Sequence, residues 1–286
     1  MATMSPLRQR MIEDMTIRNL SPATQQSYAY AVSNFSRYFK ASPDRLGDEE
    51  VRTYQLHLIA KKYSWSHINQ SACALRFFFG VTLGRKESLE RIVFGREPEK
   101  LPAILSADEV VRFLEAVDGF RNRVALTTAY AAGLRVREVV HLKVVSIESA
   151  RMLIHVENGK GGKERYAMLS ARLLDVLRVY WRRARPNLWL FPGQEPGSHV
   201  STGALQDACR RARKAAGIQK PVTAHTLRHS FATHLLEAGV DIRVIQALLG
   251  HGHLTSTTRY TQVATNLIAS TPSPFDRIAC RIAPPE

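Results

Sequence analysis

Residues 95–102 read GREPEKLP, and this stretch restricts what the chain can fold into. It carries two prolines, a glycine, four charges and a single leucine. Such a segment continues neither a helix nor a strand and has the chemistry of a linker. The 286 residues are therefore read as two units, one over residues 1–95 and one over residues 101–286. With 45% hydrophobic and 23% charged residues, the composition is globular rather than disordered.

The N-terminal unit reads as helices. Ser21 followed by Pro22 is an N-cap with proline at the first helical position. Tyr28, Ala31, Val32, Phe35, Tyr38 and Phe39 then recur at helical spacing. A second helix is predicted over residues 48–62, with Val51, Tyr54, Leu58 and Ile59 inward. A third is predicted over residues 66–79, with Ile68, Ala72, Leu75, Phe78 and Phe79 inward. Arg37, Lys40, Arg52, Lys61, Lys62, Arg76, Arg85 and Lys86 fall on the outer faces. That basic layer suits either a DNA backbone or plain solvent.

After the linker, Ser106 and Glu109 form a capping-box pair that opens a new helix. Residues 151–169 break the helical pattern. Met152, Ile154 and Val156 alternate with Leu153, His155 and Glu157, and a glycine-rich turn follows at residues 158–162, which predicts a β-hairpin. Helices are predicted again over residues 171–185, 201–216, 226–238 and 241–249, the last two stopped by Gly239 and Gly250. The expected fold class is mainly α: an N-terminal helical bundle and a larger helical domain with a small antiparallel sheet.

Forty Lys and Arg against 25 Asp and Glu give a net charge of +15, which favours a polyanionic partner such as nucleic acid. Cys73, Cys209 and Cys280 are odd in number and far apart, unlike a disulfide framework or a thiolate metal site, and suit a reducing compartment. The first fifteen residues lack the apolar core of a signal peptide, and no apolar run reaches the roughly 18 residues of a membrane span. A soluble, intracellular protein without membrane contact is expected.

Four segments carry chemistry: GLRVRE around Arg135, NGKGGKER around Lys160, HTLRH with His225 and Arg228, and LGHGHLTSTTRYT with His251 and Tyr260. Together they offer two guanidiniums, an ammonium, two imidazoles and a phenol, without the carboxylate cluster that holds Mg²⁺. Arginines can grip the non-bridging oxygens of a phosphate and stabilise the charge of a pentacovalent transition state. An imidazole or lysine can move protons. A phenol beside arginines ionises more readily and becomes a nucleophile. Lys163 is a rival to Lys160. His225, His229, His251 and His253 could instead be zinc ligands, although Arg228 would sit beside the metal.

These motifs resemble the tyrosine recombinase (phage integrase) family, and are similar to the bacterial recombinases that resolve chromosome dimers. The likeness is strong over residues 101–264 and looser over residues 21–79. It implies a catalytic set of Arg135, Lys160, His225, Arg228, His251 and Tyr260, with Glu138 as a structural acid and no cofactor or metal. It also implies a small DNA-binding domain, a larger catalytic domain, double-stranded DNA with specific recombination sites as substrate, a tetramer of subunits on synapsed DNA, and action on the bacterial nucleoid in the cytoplasm. A type IB topoisomerase, a catalytically silent DNA-binding relative and a histidine-ligated metal hydrolase are the competing readings. His253, and the prolines of Thr271-Pro-Ser-Pro274, depart from the family pattern.

Overall fold

Most helix starts among the described residues are set by a single Ser, Thr or Asp side chain one residue ahead of the first turn. The computed structural model describes residues 5–85, 92–96, 101–157 and 164–250, and the chain divides into two units, Met1–Glu99 and Lys100–Glu286.

In the first unit Ser5 caps α1 (Pro6–Ile17), Ser21 caps α2 (Pro22–Phe39) and Ser64 caps α4 (Trp65–Phe77). Each serine oxygen accepts a backbone N–H that the helix leaves unpaired. Ahead of α3 (Asp48–Ala60), Glu50 reaches back to the N–H of Gly47 at 2.8 Å. The fourth helix continues into a π-turn, Phe78–Thr82. Met11, Met15, Val32, Phe35, Val51, Leu58, Leu75 and Phe79 fill the core. At its centre the Phe35 ring meets Phe39, Tyr54 and Phe79 edge-on.

Three sequence expectations change here. Ile59 lies outward, 42% exposed, because it is one step of about 100° around the helix from buried Leu58. Tyr38 is also exposed and lies against the ring of His57. Arg76 is half-buried rather than outward, while Arg85 is exposed as expected. Arg76 covers the Phe94 ring, and Arg85 donates to the carbonyls of Leu46 and Asp44. The start of the linker-like stretch is also fastened: Asn69 bonds both the N–H and the carbonyl of Gly95 at 2.9 Å. A Cβ on Gly95 would stand 2.1 Å from the Trp65 ring, so glycine is required there. Lys86 lies outside the described residues.

The second unit begins at α5 (Ala107–Glu115), opened by the Ser106–Glu109 capping box. It continues with α6 (Phe120–Ala131), α7 (Val136–Val140), α8 (Ala171–Ala184), α9 (Thr202–Ala215), α10 (Ala224–Glu237) and α11 (Ile242–Leu249). Between α7 and α8 lies a three-stranded antiparallel sheet in the order β1 (Ile147–Glu148), β2 (Leu153–Val156), β3 (Arg165–Met168). Ile154 pairs with Ala167, and Val156 with Arg165. The hairpin matches the alternation in the sequence; β1 is an additional strand too short to show any period. Phe113, Leu126, Leu134, Ile154, Val156, Leu177, Phe191, Leu205 and Leu227 form the main core. Cys73 and Cys209 are both free.

Just ahead of α5, both backbone groups of Leu105 are tied to α10. Its N–H donates to Ser230 Oγ at 2.9 Å, and its carbonyl accepts from His234 Nε2 at 3.0 Å. His234 Nδ1 therefore accepts from the Tyr130 hydroxyl, 2.8 Å away. Among the described residues no helix is long and apolar enough to cross a membrane.

Candidate active site

Two of the sequence motifs are brought together by a left-handed glycine. Gly133 follows α6 with φ +62°, and a Cβ there would lie 2.5 Å from the Phe231 ring of α10. Only glycine takes both the angle and the close approach. The turn delivers Arg135 to the N-cap of α7. Glu138 then closes on it twice: Oε2 accepts the Arg135 backbone N–H and Oε1 accepts Arg135 Nη1, each at 2.8 Å.

Glu138 is a buried carboxylate, 3% exposed at its side chain, among three arginines. Besides Arg135 it takes Arg165 Nη2 at 2.8 Å and lies 3.6 Å from Arg228 Nη1. Burial alone would raise its pKa. Arg165, the Arg135 N–H, Arg228 and the Arg135 guanidinium outweigh burial and hold it below the ordinary 4.5. Three guanidiniums against one carboxylate leave a surplus of two positive charges, which suits an anion.

Arg228 projects inward from the start of the second turn of α10 and is 1% exposed. Its Nη1 donates to the Gly133 carbonyl, and its Nη2 to the Leu249 carbonyl at the end of α11. The helix begins at Ala224, two residues earlier than the sequence suggests, because Thr223 caps it and pairs with Thr226. His225 is thereby inside the first turn and reaches the surface, with its ring 4.7 Å from that of His229. Packing around the ring, then the charges of Arg228 and Arg135, hold its pKa below the usual 6.5.

The structure thus brings Arg135 and Arg228 to Glu138, with His225 near enough to both arginines to feel their charge. Lys160, His251 and Tyr260 lie outside the described residues, as do Lys163 and His253. Sequence reasoning missed Arg165. It stands at the start of β3 in phase with buried Ala167 while Tyr166 points out, so an arginine in the apolar phase of a strand was the available signal. Among the described residues no group of three or more His, Cys, Asp or Glu is placed to hold a metal ion.

Residues 103–266 match the phage integrase family, and residues 7–88 match the phage integrase N-terminal SAM-like domain. A putative integrase/recombinase of Sinorhizobium fredii is 51% identical over 275 residues, covering 96% of this chain and 89% of the relative. The tyrosine recombinase XerA of Thermococcus kodakarensis is 36% identical over 254 residues, covering 87% and 88%. The crystal structure of a XerA recombinase superposes with a TM-score of 0.55 at 28% identity, covering 92% of this chain and 96% of that one. A lambda integrase dimer bound to a core site has the same fold, with a TM-score of 0.74 at 20% identity, covering 89% and 93%.

Proposed function

The chain belongs to the phage integrase family and is a tyrosine site-specific recombinase, and from that footing we propose how its own residues divide the work. The substrate is double-stranded DNA carrying specific recombination sites, and the working assembly is a tetramer on two synapsed duplexes. Residues 1–95 form the smaller DNA-binding domain and residues 101–286 the catalytic domain. The reaction takes place on the DNA of the cytoplasm.

Tyr260 is the nucleophile. Its oxygen bonds to the scissile phosphorus, the bond from phosphorus to the 5′-oxygen breaks, and a 3′-phosphotyrosyl link and a 5′-hydroxyl result. His225 takes the phenolic proton, and Lys160 supplies a proton to the leaving 5′-oxygen. Arg135, Arg228 and His251 hold the phosphate. A 5′-hydroxyl from the partner duplex then attacks the link and releases Tyr260. Each step exchanges one phosphoester for another, so no nucleotide cofactor is consumed.

The observation that supports this reading is the pair Arg135 and Arg228 braced by one buried carboxylate, with His225 held toward its neutral form beside them. A braced arginine pair is pre-organised to stabilise charge that develops on a phosphate. The test has two stages. Covalent protein–DNA adducts are first mapped in cells to give the recognition sequence. A duplex of that sequence, nicked beside the cleavage point, then traps the adduct. Wild type accumulates it, and Tyr260→Phe binds the duplex but forms none. An adduct in the Phe variant assigns the nucleophile to another residue.

A further inference from the structure

We propose that Arg165 is a positioning residue for Arg228: by filling the lone pairs of Glu138 it keeps the Arg228 guanidinium from closing onto that carboxylate, and so keeps its charge for the phosphate. The proposal rests on the reading of Arg228 as a residue that holds the phosphate.

Glu138 Oε2 accepts two hydrogen bonds, from the Arg135 N–H and from Arg165 Nη2, each at 2.8 Å. A carboxylate oxygen offers two lone pairs, so this one is filled. Arg228 Nη1 stops 3.6 Å away from it, beyond hydrogen-bond distance. It donates instead to the Gly133 carbonyl at 2.6 Å. The Arg228 and Glu138 side chains are 1% and 3% exposed, so water does little to screen their attraction. What keeps them from a close ion pair is that Arg165 already holds the shared oxygen.

Arg165 is itself fixed on that oxygen. Its backbone lies in β3 opposite Val156. Its Nη1 donates to the Leu248 carbonyl at 2.6 Å, at the end of α11, where carbonyls lack helical partners and carry the negative end of the helix dipole. The next carbonyl, that of Leu249, takes Arg228 Nη2. Gly250 leaves room for the arrangement, since a Cβ there would stand 2.5 Å from Arg165 Cδ. The two arginines thus share one carboxylate and one helix end, and Arg165 has the closer hold on the carboxylate. A guanidinium in a tight buried pair is largely neutralised by its partner. Arg228 held at 3.6 Å therefore has more charge to offer a phosphate than the same group closed onto Glu138. Arg165 acts through Glu138 and Arg228 and needs no contact with DNA.

Two measurements separate this role from general loss of structure. Packing, then the charges of Arg228 and Arg135, hold the His225 pKa below 6.5, so the ring reports whether Arg228 has closed onto Glu138. In Arg165→Met the NMR titration of His225 should move up toward 6.5. The same variant should cleave the nicked duplex of the mapped recognition sequence about 100-fold more slowly, the scale of losing one donor from a charge-stabilising site. Adding Glu138→Gln removes the charge that Arg228 would close onto. The double variant should bring the His225 value back down and cleave about tenfold faster than Arg165→Met, the sign of two coupled sites rather than of accumulated damage. Arg165→Lys covers the case in which the Met variant folds poorly. Its single ammonium can fill Oε2 without also reaching Leu248, so it should keep the wild-type His225 value and cleave within severalfold of wild type. The proposal is overturned by an unmoved His225 in Arg165→Met, or by a double variant no faster than the single one. A Lys variant about 100-fold slow with His225 at its wild-type value overturns it too, because the tie to Leu248 is then what matters. Arg228→Ala tells the two failures apart. If it cleaves at the wild-type rate, the reading of Arg228 falls, and this proposal falls with it whatever His225 reports.

Discussion

Arg228 donates to the carbonyl of Gly133 at 2.6 Å, joining parts of the chain 95 residues apart. The bond makes the glycine of GLRVRE part of the seat of the arginine of HTLRH. The same turn aims Arg135 at Glu138, so a single left-handed residue positions both guanidiniums.

Glu138→Gln should destabilise the catalytic unit by about 3 kcal/mol, because the arginines around it lose their counter-charge in a buried place. The folded-state pKa of Glu138 lies below 4.5. Its contribution is therefore fully present above pH 4.5 and is lost as pH falls through the lower folded value. Urea melts of both proteins across pH 3 to 7, an interval of about four units chosen to bracket those values, should converge at the acid end. A gap that stays constant over the whole range would show that the carboxylate charge is not what matters.

His225 should titrate below 6.5, since packing and the neighbouring arginines disfavour its charged form. As the proposed base it then stays neutral to lower pH, and the acid limb of cleavage should fall below 6.5. The stability sign runs the other way from a paired histidine. Above 6.5 the ring is neutral folded and unfolded; below it the unfolded chain takes the proton first, and stability declines until the folded value is passed. NMR titration of the ring, with His225→Gln to assign the signal, measures this. Arg135→Ala should move the value up toward 6.5. A wild-type value at or above 6.5 would refute the argument.

Lys160 and Lys163 should separate by the kind of defect each produces. Loss of a proton donor costs about 10²- to 10⁴-fold in rate, whereas loss of a phosphate contact weakens binding and lowers the salt slope by about one. Lys160→Ala should therefore cleave slowly with affinity preserved, and recover on a duplex whose bridging 5′-oxygen is replaced by sulfur, which leaves as a thiolate without needing a proton. Lys163→Ala should bind less tightly and show no special recovery. Recovery of the Lys163 variant alone would exchange the two roles.

What could be read from the sequence depended on how local the cause was. Ser21 and Ser106 act within three residues of themselves, and the helices they open begin where the sequence places them; Asp241 caps the last helix, which starts one residue after it. Thr223 is equally local, but Thr226 offers the same cap chemistry three residues on, and reading the start there places it two residues late. Strand β1 has two residues and hence no alternation to detect. Ile59 was misplaced because apolar character alone does not say which side of a helix turns inward. Arg165 stayed hidden in a run of basic residues because its partners lie 27 and 83 positions away. Arg135, His225 and Arg228 are legible as motif residues, while the carboxylate that joins the two arginines is set by the fold.

The double fastening of Leu105 to Ser230 and His234 has a practical meaning for anyone grafting a different N-terminal unit onto the second one. Leu105 is the far end of the connector, yet it is bonded to the helix that carries His225 and Arg228. A splice placed at the start of α5 would discard that anchor and leave a buried serine hydroxyl and an imidazole facing an empty seat. Splices made upstream of residue 101 keep it. The usable junction for chimaeras thus ends several residues before the first helix of the unit does its own work.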